Sequence, residues 1–235
     1  MTAHDSWAKV YDRAYKESFG IFYKEFTELT LKVIQEETAQ GLQVIDFGAG
    51  TGRLSCPLSE LGFDVTAVDS SLEMLKELQS KDIKNRIKTH NEFMENFITN
   101  DRYDFALCVF SVLTYLTDEQ TLNKALSNLK ECLHSGGLVL MDIPLPGAFK
   151  GLTYKSETLH RDVIVDKQND VFNYRESIDV LDGNNWVNYS DEFKIRCWQS
   201  DLVLNKMKQL GFIIQKDLSE RFIGTGALYF LFKLN

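Results

Sequence analysis

Apolar residues in the first two thirds of the chain follow two alternating spacings. Phe22, Phe26, Leu29 and Val33 lie three or four residues apart, as on one face of a helix. The run 42–47 is short and continuously apolar, which indicates a strand buried on both faces. Further strands are predicted at 63–68, 86–89, 103–110 and 138–143, and further helices on the apolar positions of 54–61, 74–78 and 122–133. This alternation with short connections predicts an α/β fold with a parallel sheet between helices.

Helix ends also carry sequence signals. Ser70 and Glu73 have the spacing of a capping box, and so do Thr117 and Gln120. The pair 136–137, Gly-Gly, is expected to end the helix that follows Thr117.

The pattern changes after the fifth predicted strand. Between residues 151 and 197 the chain alternates like β-strands at 163–166, 171–181 and 186–195, with a turn at 182–185. Helix and strand patterns then return and run to the C-terminus. Because about 50 residues build only a thin core, we predict one domain over 1–235 with an antiparallel insertion at 151–197. The insertion follows a strand's carboxyl end, so we expect it to cover the ligand site as a lid, with Arg175 and Tyr189 as candidate inward-facing residues.

Composition narrows the possible partners. The 235 residues are 44% hydrophobic and 26% charged, and 26 Lys plus Arg against 34 Asp plus Glu give a net charge of −8. The hydrophobic content argues against disorder, and the negative net charge argues against general binding to nucleic acid or anionic membranes. No apolar run is long enough for a membrane span, no secretory signal is visible and no CxxC pair occurs, so a cytoplasmic protein is expected. A monomer and a homodimer are both compatible with the sequence.

The most informative segment is VIDFGAGTGRLS, residues 44–55. Gly48, Gly50 and Gly52 lie between a predicted strand and a predicted helix, where backbone can approach a ligand closely and free N–H groups can meet an anionic group. Asp69 ends the second strand, 21 positions after Gly48 (69 − 48), a spacing at which an acid can accept hydrogen bonds from ribose hydroxyls. The alternatives are a plain glycine turn and a helix cap. The two signals together favour nucleoside recognition.

The glycines form GxGxG, since position 53, where a dinucleotide fingerprint has its third glycine, is Arg53. Three strand segments accompany this glycine loop: VTAVDSS at the second strand, YDFALCVFSVLTYLTD at the fourth and LHSGGLVLMDIP at the fifth. In the loop and these three segments the chain resembles the class I S-adenosylmethionine-dependent methyltransferases, in particular their small-molecule branch. The resemblance covers about residues 5–143 and 198–234. It implies a Rossmann-like, seven-stranded mixed sheet of order 3-2-1-4-5-7-6, with the last strand antiparallel.

The resemblance also implies residues for binding S-adenosylmethionine. Gly48, Ala49 and Gly50 would line its methionine part, Asp46 would reach its amino group and Asp69 would hold the ribose. Ser70 and Met74 would border the adenine, and Asn91 or Glu92 would stand in place of the family's usual Gly-Asp. Phe110 and Ser111 would lie beneath the methionine, and Arg53 follows the glycines. Tyr11 and Tyr15 would come from an N-terminal segment that closes over the site. Both tyrosines could instead serve only packing.

The acceptor side is less defined. Tyr115 stands in the loop where amino-sugar N-methyltransferases, which the chain weakly resembles, carry a histidine, so Tyr115 is the candidate catalytic residue; ordinary packing is the alternative. The four histidines show no metal-binding spacing, and no metal is expected. We therefore expect methyl transfer to a small molecule, with nitrogen favoured over oxygen. The alternatives are a non-catalytic S-adenosylmethionine-binding protein and a nucleotide-dependent dehydrogenase, which the glycine spacing disfavours.

Overall fold

The computed structural model describes residues 2–235, and its centre is a seven-stranded mixed sheet. The strands are β1 Gln43–Phe47, β2 Asp64–Asp69, β3 Lys88–Asn91, β4 Tyr103–Cys108, β5 Leu133–Pro144, β10 Phe212–Asp217 and β11 Ala227–Leu234. Their order is β3-β2-β1-β4-β5-β11-β10, and β11 is antiparallel to both neighbours. The predicted order 3-2-1-4-5-7-6 with an antiparallel last strand is confirmed.

Helices cover both faces of this sheet: α1 Ala8–Glu37, α2 Ser55–Glu60, α3 Leu72–Lys81, α4 Glu119–Glu131 and α5 Ser200–Gln209. Successive residues of a strand pack into different hydrophobic clusters, because their side chains alternate between the two faces of the sheet. Val44 joins the cluster that includes Leu58 and Leu78, whereas Ile45 joins the cluster that includes Leu126 and Met207. Both β1 residues are fully buried. This double burial explains the continuous apolar run of β1.

Residues 152–196 form a second, separate sheet of four antiparallel strands. They are β6 Leu152–Lys155, β7 Leu159–Gln168, β8 Val171–Asp182 and β9 Asn185–Arg196. The sequence predicted β7 to β9, but it missed β6. The start of α1 and the residue before it pack on this sheet: Trp7, which precedes α1, and Ala14, within it, share a buried cluster with Leu159, Ile178 and Val180.

Several predicted boundaries are wrong by a few residues. The side chain that caps α3 is Ser71, which accepts from the Met74 N–H at 3.1 Å, and the one that caps α4 is Asp118, which accepts from Thr121 at 2.8 Å. Ser70 and Thr117 are each one position too early, because a neighbouring residue of equal capping ability lies at the correct place. Strand β3 lies two residues later than predicted.

The pair 136–137 does not end a helix. Helix α4 stops at Glu131, and both glycines lie inside β5. There the register against β4 shifts: Tyr103 pairs with Leu133, but Phe105 pairs with Leu138. Gly136 has φ +81° at this irregularity, a conformation that glycine adopts readily.

None of the helices formed by residues 2–235 has the length and apolar character needed to cross a membrane.

Trp198 generates a stability prediction. Its indole Nε1 donates to the carbonyl oxygens of Leu113 at 3.1 Å and Leu116 at 3.0 Å, and its ring is buried. Phenylalanine cannot make these bonds and fills less space, so Trp198→Phe should lower the free energy of unfolding by about 2–4 kcal/mol. The matched control is Trp186→Phe, since Trp186 is 46% exposed; its effect should stay within about 0.5 kcal/mol in urea unfolding. Equal effects of the two substitutions would contradict this assignment.

Candidate functional site

The loop between β1 and α2 is held against the end of β2. The N–H groups of Gly48 and Ala49 donate to the Val68 carbonyl at 2.8 and 3.2 Å. Gly48 has φ +69°, and a Cβ there would collide with the Val112 side chain. Gly50 has φ +54° and open space where its Cβ would be. The loop therefore turns tightly and leaves bare backbone facing a cavity.

Asp69, at the end of β2, fixes this loop. Its Oδ2 accepts from the Gly50 N–H at 2.7 Å and its Oδ1 from the Ser71 N–H at 2.8 Å. Burial raises the pKa of this carboxyl, and the two backbone bonds oppose that rise. A carboxylate has about four acceptor directions, so each oxygen can accept a further hydrogen bond from a ligand hydroxyl.

A second acid lies below the loop. Asp46 is 4% exposed and its Oδ2 accepts from the Ser55 hydroxyl at 2.6 Å. Burial, with a smaller contribution from the Asp69 charge, raises its pKa to about 7. A cationic group beside Asp46 would favour its ionised form.

These elements form one wall of a first cavity of about 330 Å³, within the usual range for small-molecule sites. The N-terminal segment, the ends of β2 to β4 and strand β9 form the other walls of the cavity. The residues that line it include Thr2, Ala3, His4, Tyr11, Asp46, Gly48, Ala49, Gly50, Arg53, Asp69, Ser70, Met74, Glu92, Phe110, Tyr115, Phe193 and Lys194.

A second cavity of about 300 Å³ lies beside the first, between α1, the end of β5 and the four-stranded sheet. The residues that line only this cavity include aromatic side chains and buried charged ones, among them Tyr15, Phe19, Phe22, Tyr23, Phe26, Ser111, Asp142, Phe149, Arg161, Tyr174, Glu176 and Tyr229. The junction of the two cavities is defined by the six residues that line both: His4, Tyr11, Arg53, Phe110, Tyr115 and Phe193.

Arg53 is fixed at this junction. Its guanidinium lies 3.8 Å from the ring centroids of both Tyr23 and Phe110. Its Nε donates to the Thr27 hydroxyl at 2.6 Å and its Nη2 to the Tyr23 carbonyl at 2.9 Å. Arg53 therefore ties α1 to the loop after β4.

That loop is strained and is held by a buried acid. Phe110 and Ser111 have φ +64° and +69°, which non-glycine residues seldom adopt. The Ser111 N–H donates to both carboxylate oxygens of Asp142, at 3.1 and 2.9 Å, and the Tyr229 hydroxyl donates to Oδ2 at 3.2 Å. Burial raises the pKa of Asp142 to about 7. Asp142 is thus a positioning residue for the junction.

Tyr115 also lies at the junction, 41% exposed, and its hydroxyl is 2.8 Å from Nε2 of His4. Behind His4 lies a buried ion pair in which Arg161 Nη2 is 3.1 Å from Glu176 Oε1. The sequence did not indicate His4 or Asp142 as site residues, and it offered Arg161 and Glu176 only as members of the mixed aromatic and charged set of the insertion that could face an acceptor, with a solvated loop favoured for Arg161. They come from four distant segments, and only the strand alternation of 171–180 could have indicated that Glu176 faces inward.

The structure distributes the predicted residues over both cavities. Eleven of the predicted cofactor residues are in the lining of the first cavity given above, with Glu92 the member of the 91–92 pair found there. Tyr15 and Ser111 line the second cavity instead. Asn91 is outside both linings, and its Nδ2 donates to the carbonyl oxygens of Asp69 and Ser70 at 3.1 and 2.9 Å. It supports the end of β2.

In the four-stranded sheet, the prediction for Arg175 is wrong. Its side chain is 52% exposed and pairs with Asp166 on the outer face, because side chains alternate and Glu176 takes the inner position. Tyr189 packs against the cluster beneath α1 and lines neither cavity.

The sequence of this chain is similar to those of known methyltransferases. Residues 44–137 match a family model described as a methyltransferase domain. A glycine/sarcosine N-methyltransferase from Aphanothece halophytica is 31% identical over 121 residues, which are 49% of this chain and 44% of that protein. Across the curated relatives it matches, the chain spans 39–66% of their length.

Two solved structures are similar over almost the whole chain. An S-adenosylmethionine-dependent methyltransferase from Clostridium acetobutylicum ATCC 824 superposes with a TM-score of 0.82 at 20% identity, covering 97% of this chain and 98% of that one. An amino pentose methyltransferase from Micromonospora echinaspora, with S-adenosylmethionine bound, gives 0.77 at 18% identity, covering 96% and 97%. At these identities the similarity establishes the fold.

The pKa of Asp46 predicts how stability depends on pH. The unfolded chain loses this proton near the ordinary pKa of 3.8, and the folded protein near 7. Between these values the folded state binds more protons, so the free energy of unfolding falls as pH rises. The side-chain amide of the Asp46→Asn variant has no such proton and can still accept from Ser55. Between about pH 4 and 8, the wild type should therefore lose about 2–4 kcal/mol more stability than Asp46→Asn.

Urea unfolding across that pH range measures the difference. Asp64→Asn is the control, since the Asp64 side chain is 46% exposed; its curve should run parallel to that of the wild type. A parallel curve for Asp46→Asn as well would show that Asp46 is ionised in the folded protein throughout.

Proposed function

We propose that this chain, which belongs to the class I S-adenosylmethionine-dependent methyltransferases, binds S-adenosylmethionine in the first cavity and methylates a nitrogen of a small molecule held in the second. The observation that carries the proposal is the junction: two cavities of ligand size meet at six shared residues, so a donor in one can face an acceptor in the other.

The residues of the first cavity fit the cofactor. The Asp69 oxygens retain acceptor directions for ribose hydroxyls, and Gly50 leaves open space beside the loop backbone. Asp46 and Glu92 can compensate the positive charge of an amino group or a sulfonium. Met74 and Ser70, at the start of α3, would border the adenine. When bound, the cofactor supplies a methyl group already activated by its positive sulfur, and the protein's task is to position the acceptor.

Nitrogen is favoured over oxygen because of the groups at the junction. An amine attacks with its own lone pair, whereas a hydroxyl first needs a base. The ordinary pKa of a tyrosine hydroxyl is near 10, and desolvation of the phenol at the junction raises the pKa of Tyr115 further, so its hydroxyl remains protonated at neutral pH. Asp142, an acid of the second cavity with a pKa of about 7, already accepts hydrogen bonds from Ser111 and Tyr229. The names of an N-methyltransferase relative and of an amino pentose methyltransferase neighbour agree with this preference.

We propose that the four-stranded sheet is the lid that sets acceptor choice. It contributes Arg161, Tyr174, Glu176 and Phe193 to the second cavity, and Phe193 also reaches the junction. The glycine loop, by contrast, contributes only Arg53 to the second cavity. Changes at Arg161, Tyr174 or Glu176, which line only the second cavity, should therefore alter the affinity for the acceptor and leave the affinity for the cofactor unchanged.

We also propose a cytoplasmic location and a small-molecule partner. All four cysteines are free, and three are buried, which suits a reducing compartment. The net charge of −8 does not favour nucleic acid as the substrate.

Asp69→Asn tests the cofactor site. The amide removes the negative charge and one acceptor, so the affinity for S-adenosylmethionine and S-adenosylhomocysteine should fall by about 1.5–3 kcal/mol in calorimetry. Asp64→Asn, on the same strand but exposed, is the matched control and should bind like the wild type. Tight binding of NAD with no response to the other two ligands would instead identify a dehydrogenase.

Turnover tests the acceptor. The small molecules of a cell extract are divided by cation exchange into basic and non-basic fractions and incubated with protein and S-adenosylmethionine. S-adenosylhomocysteine, measured by mass spectrometry, should form with the basic fraction, which contains the amines. Formation only with the non-basic fraction would contradict N-methylation, and formation with neither would indicate a non-catalytic binding protein.

A further inference from the structure

Several contacts hold His4 at the junction, although it lies near the start of the chain. It is 8% exposed, its backbone N–H donates to the Asp191 carboxylate, and its ring contacts those of Trp7, Tyr11 and Phe193 at centroid distances of 5.0, 5.5 and 4.7 Å. Burial, followed by the charge of Arg161, lowers the pKa of His4 to about 3, with Asp5 opposing the shift. The imidazole is therefore neutral, and only one of its nitrogens carries a proton.

Glu176 decides which nitrogen that is. Its Oε2 lies 3.9 Å from Nδ1 of His4, and neither atom has a hydrogen-bond partner among residues 2–235. Burial raises the pKa of Glu176, but the bonded guanidinium of Arg161 is permanently charged and only 2% exposed, and it requires a buried counter-ion. A lone pair on Nδ1 would face the negative oxygen and be repelled. The proton on His4 therefore belongs on Nδ1, directed at Glu176.

This tautomer fixes the hydroxyl of Tyr115. With the proton on Nδ1, Nε2 of His4 has only a lone pair, so across their 2.8 Å separation Tyr115 must donate its hydroxyl proton to His4. The oxygen of Tyr115 then has lone pairs free for the junction. The opposite tautomer would make Tyr115 present a proton there instead.

We propose that Glu176 and His4 are positioning residues that hold Tyr115 as a hydrogen-bond acceptor for the N–H of an amine acceptor at the junction. The proposal rests on the proposed N-methylation and adds the residues that select the amine. A nitrogen whose N–H is bound by Tyr115 has its position fixed while its lone pair stays free. The rings of Tyr11 and Phe193, also at the junction, favour an amine that arrives as a cation. Such a cation loses one proton to solvent water at the junction, where Tyr115 is 41% exposed, and the lone pair set free by that loss attacks the methyl group.

The tautomer of His4 can be measured directly. Protein with ¹⁵N-labelled histidine is saturated with S-adenosylhomocysteine, and long-range ¹H–¹⁵N spectra distinguish the two neutral tautomers and the cation. Loss of one signal set in His4→Gln assigns His4 among the four histidines. We expect a neutral ring with the proton on Nδ1 at about pH 7. A proton on Nε2, or a charged ring, would overturn the proposal.

Two further variants test the cause. Glu176→Gln removes the charge that faces Nδ1, so the ratio of the Nδ1–H to the Nε2–H tautomer should fall by about tenfold. Arg175→Gln, the neighbouring residue on the outer face of β8, should leave the ratio unchanged. Thermal melting establishes that both variants are folded. An unchanged ratio in folded Glu176→Gln would exclude Glu176 as the cause.

A matched pair of probes tests the recognition of N–H. Cyclohexylammonium and its N,N,N-trimethyl derivative carry the same charge, but only the first can donate a hydrogen bond. The first should bind the S-adenosylhomocysteine complex about tenfold more tightly, and Tyr115→Phe should lose that preference. Absence of a preference in the wild type, including failure of the amine to bind, contradicts the proposal. Since cofactor affinity is measured separately, failure here is distinguishable from failure of the proposed function.

Discussion

The carboxylate of Asp69 is the interaction on which the first cavity depends. It binds the N–H of Gly50 in the loop after β1 and the N–H of Ser71 at the start of α3. The hydroxyl of Ser71 in turn contacts Asp5, so the N-terminal segment is attached to the same point. One acid therefore joins the two adjacent strand ends to the segment that closes the cavity above them. Its remaining acceptor directions are the ones available to a ribose.

The second cavity depends on a strained loop after β4 that neighbouring side chains hold in place. Two successive non-glycine residues, Phe110 and Ser111, adopt positive φ, at a cost of about 1–3 kcal/mol each. The bonds from Ser111 to Asp142 and the stacking of Arg53 on Phe110 hold them in this conformation. Asp142 is buried and Arg53 is partly buried. Held in this way, the loop after β4 runs between the two cavities, with Tyr115 beside it at their junction.

The sequence could predict what is local in the chain. The glycine loop and Asp69 belong to one strand–helix–strand unit, so their spacing indicated that they lie at the same edge of the sheet, but not that Asp69 accepts from Gly50 and Ser71. Strand order was available through family resemblance. The junction was not, because His4, Asp142 and Glu176 meet only through tertiary packing and none belongs to a short motif. The face of β8 illustrates a second difficulty: Arg175 and Glu176 are adjacent, and register decides which of them enters the cavity.

The central claim, transfer of a methyl group to nitrogen across the junction, is tested most directly by identifying the atom that receives it. S-adenosylmethionine labelled with ¹³C in its methyl group is incubated with the protein and the fraction that supports turnover, and the product's methyl signal is assigned by carbon and nitrogen correlation spectra. The account predicts a ¹³C-methyl group bonded to nitrogen. A methyl group on oxygen or carbon would contradict it.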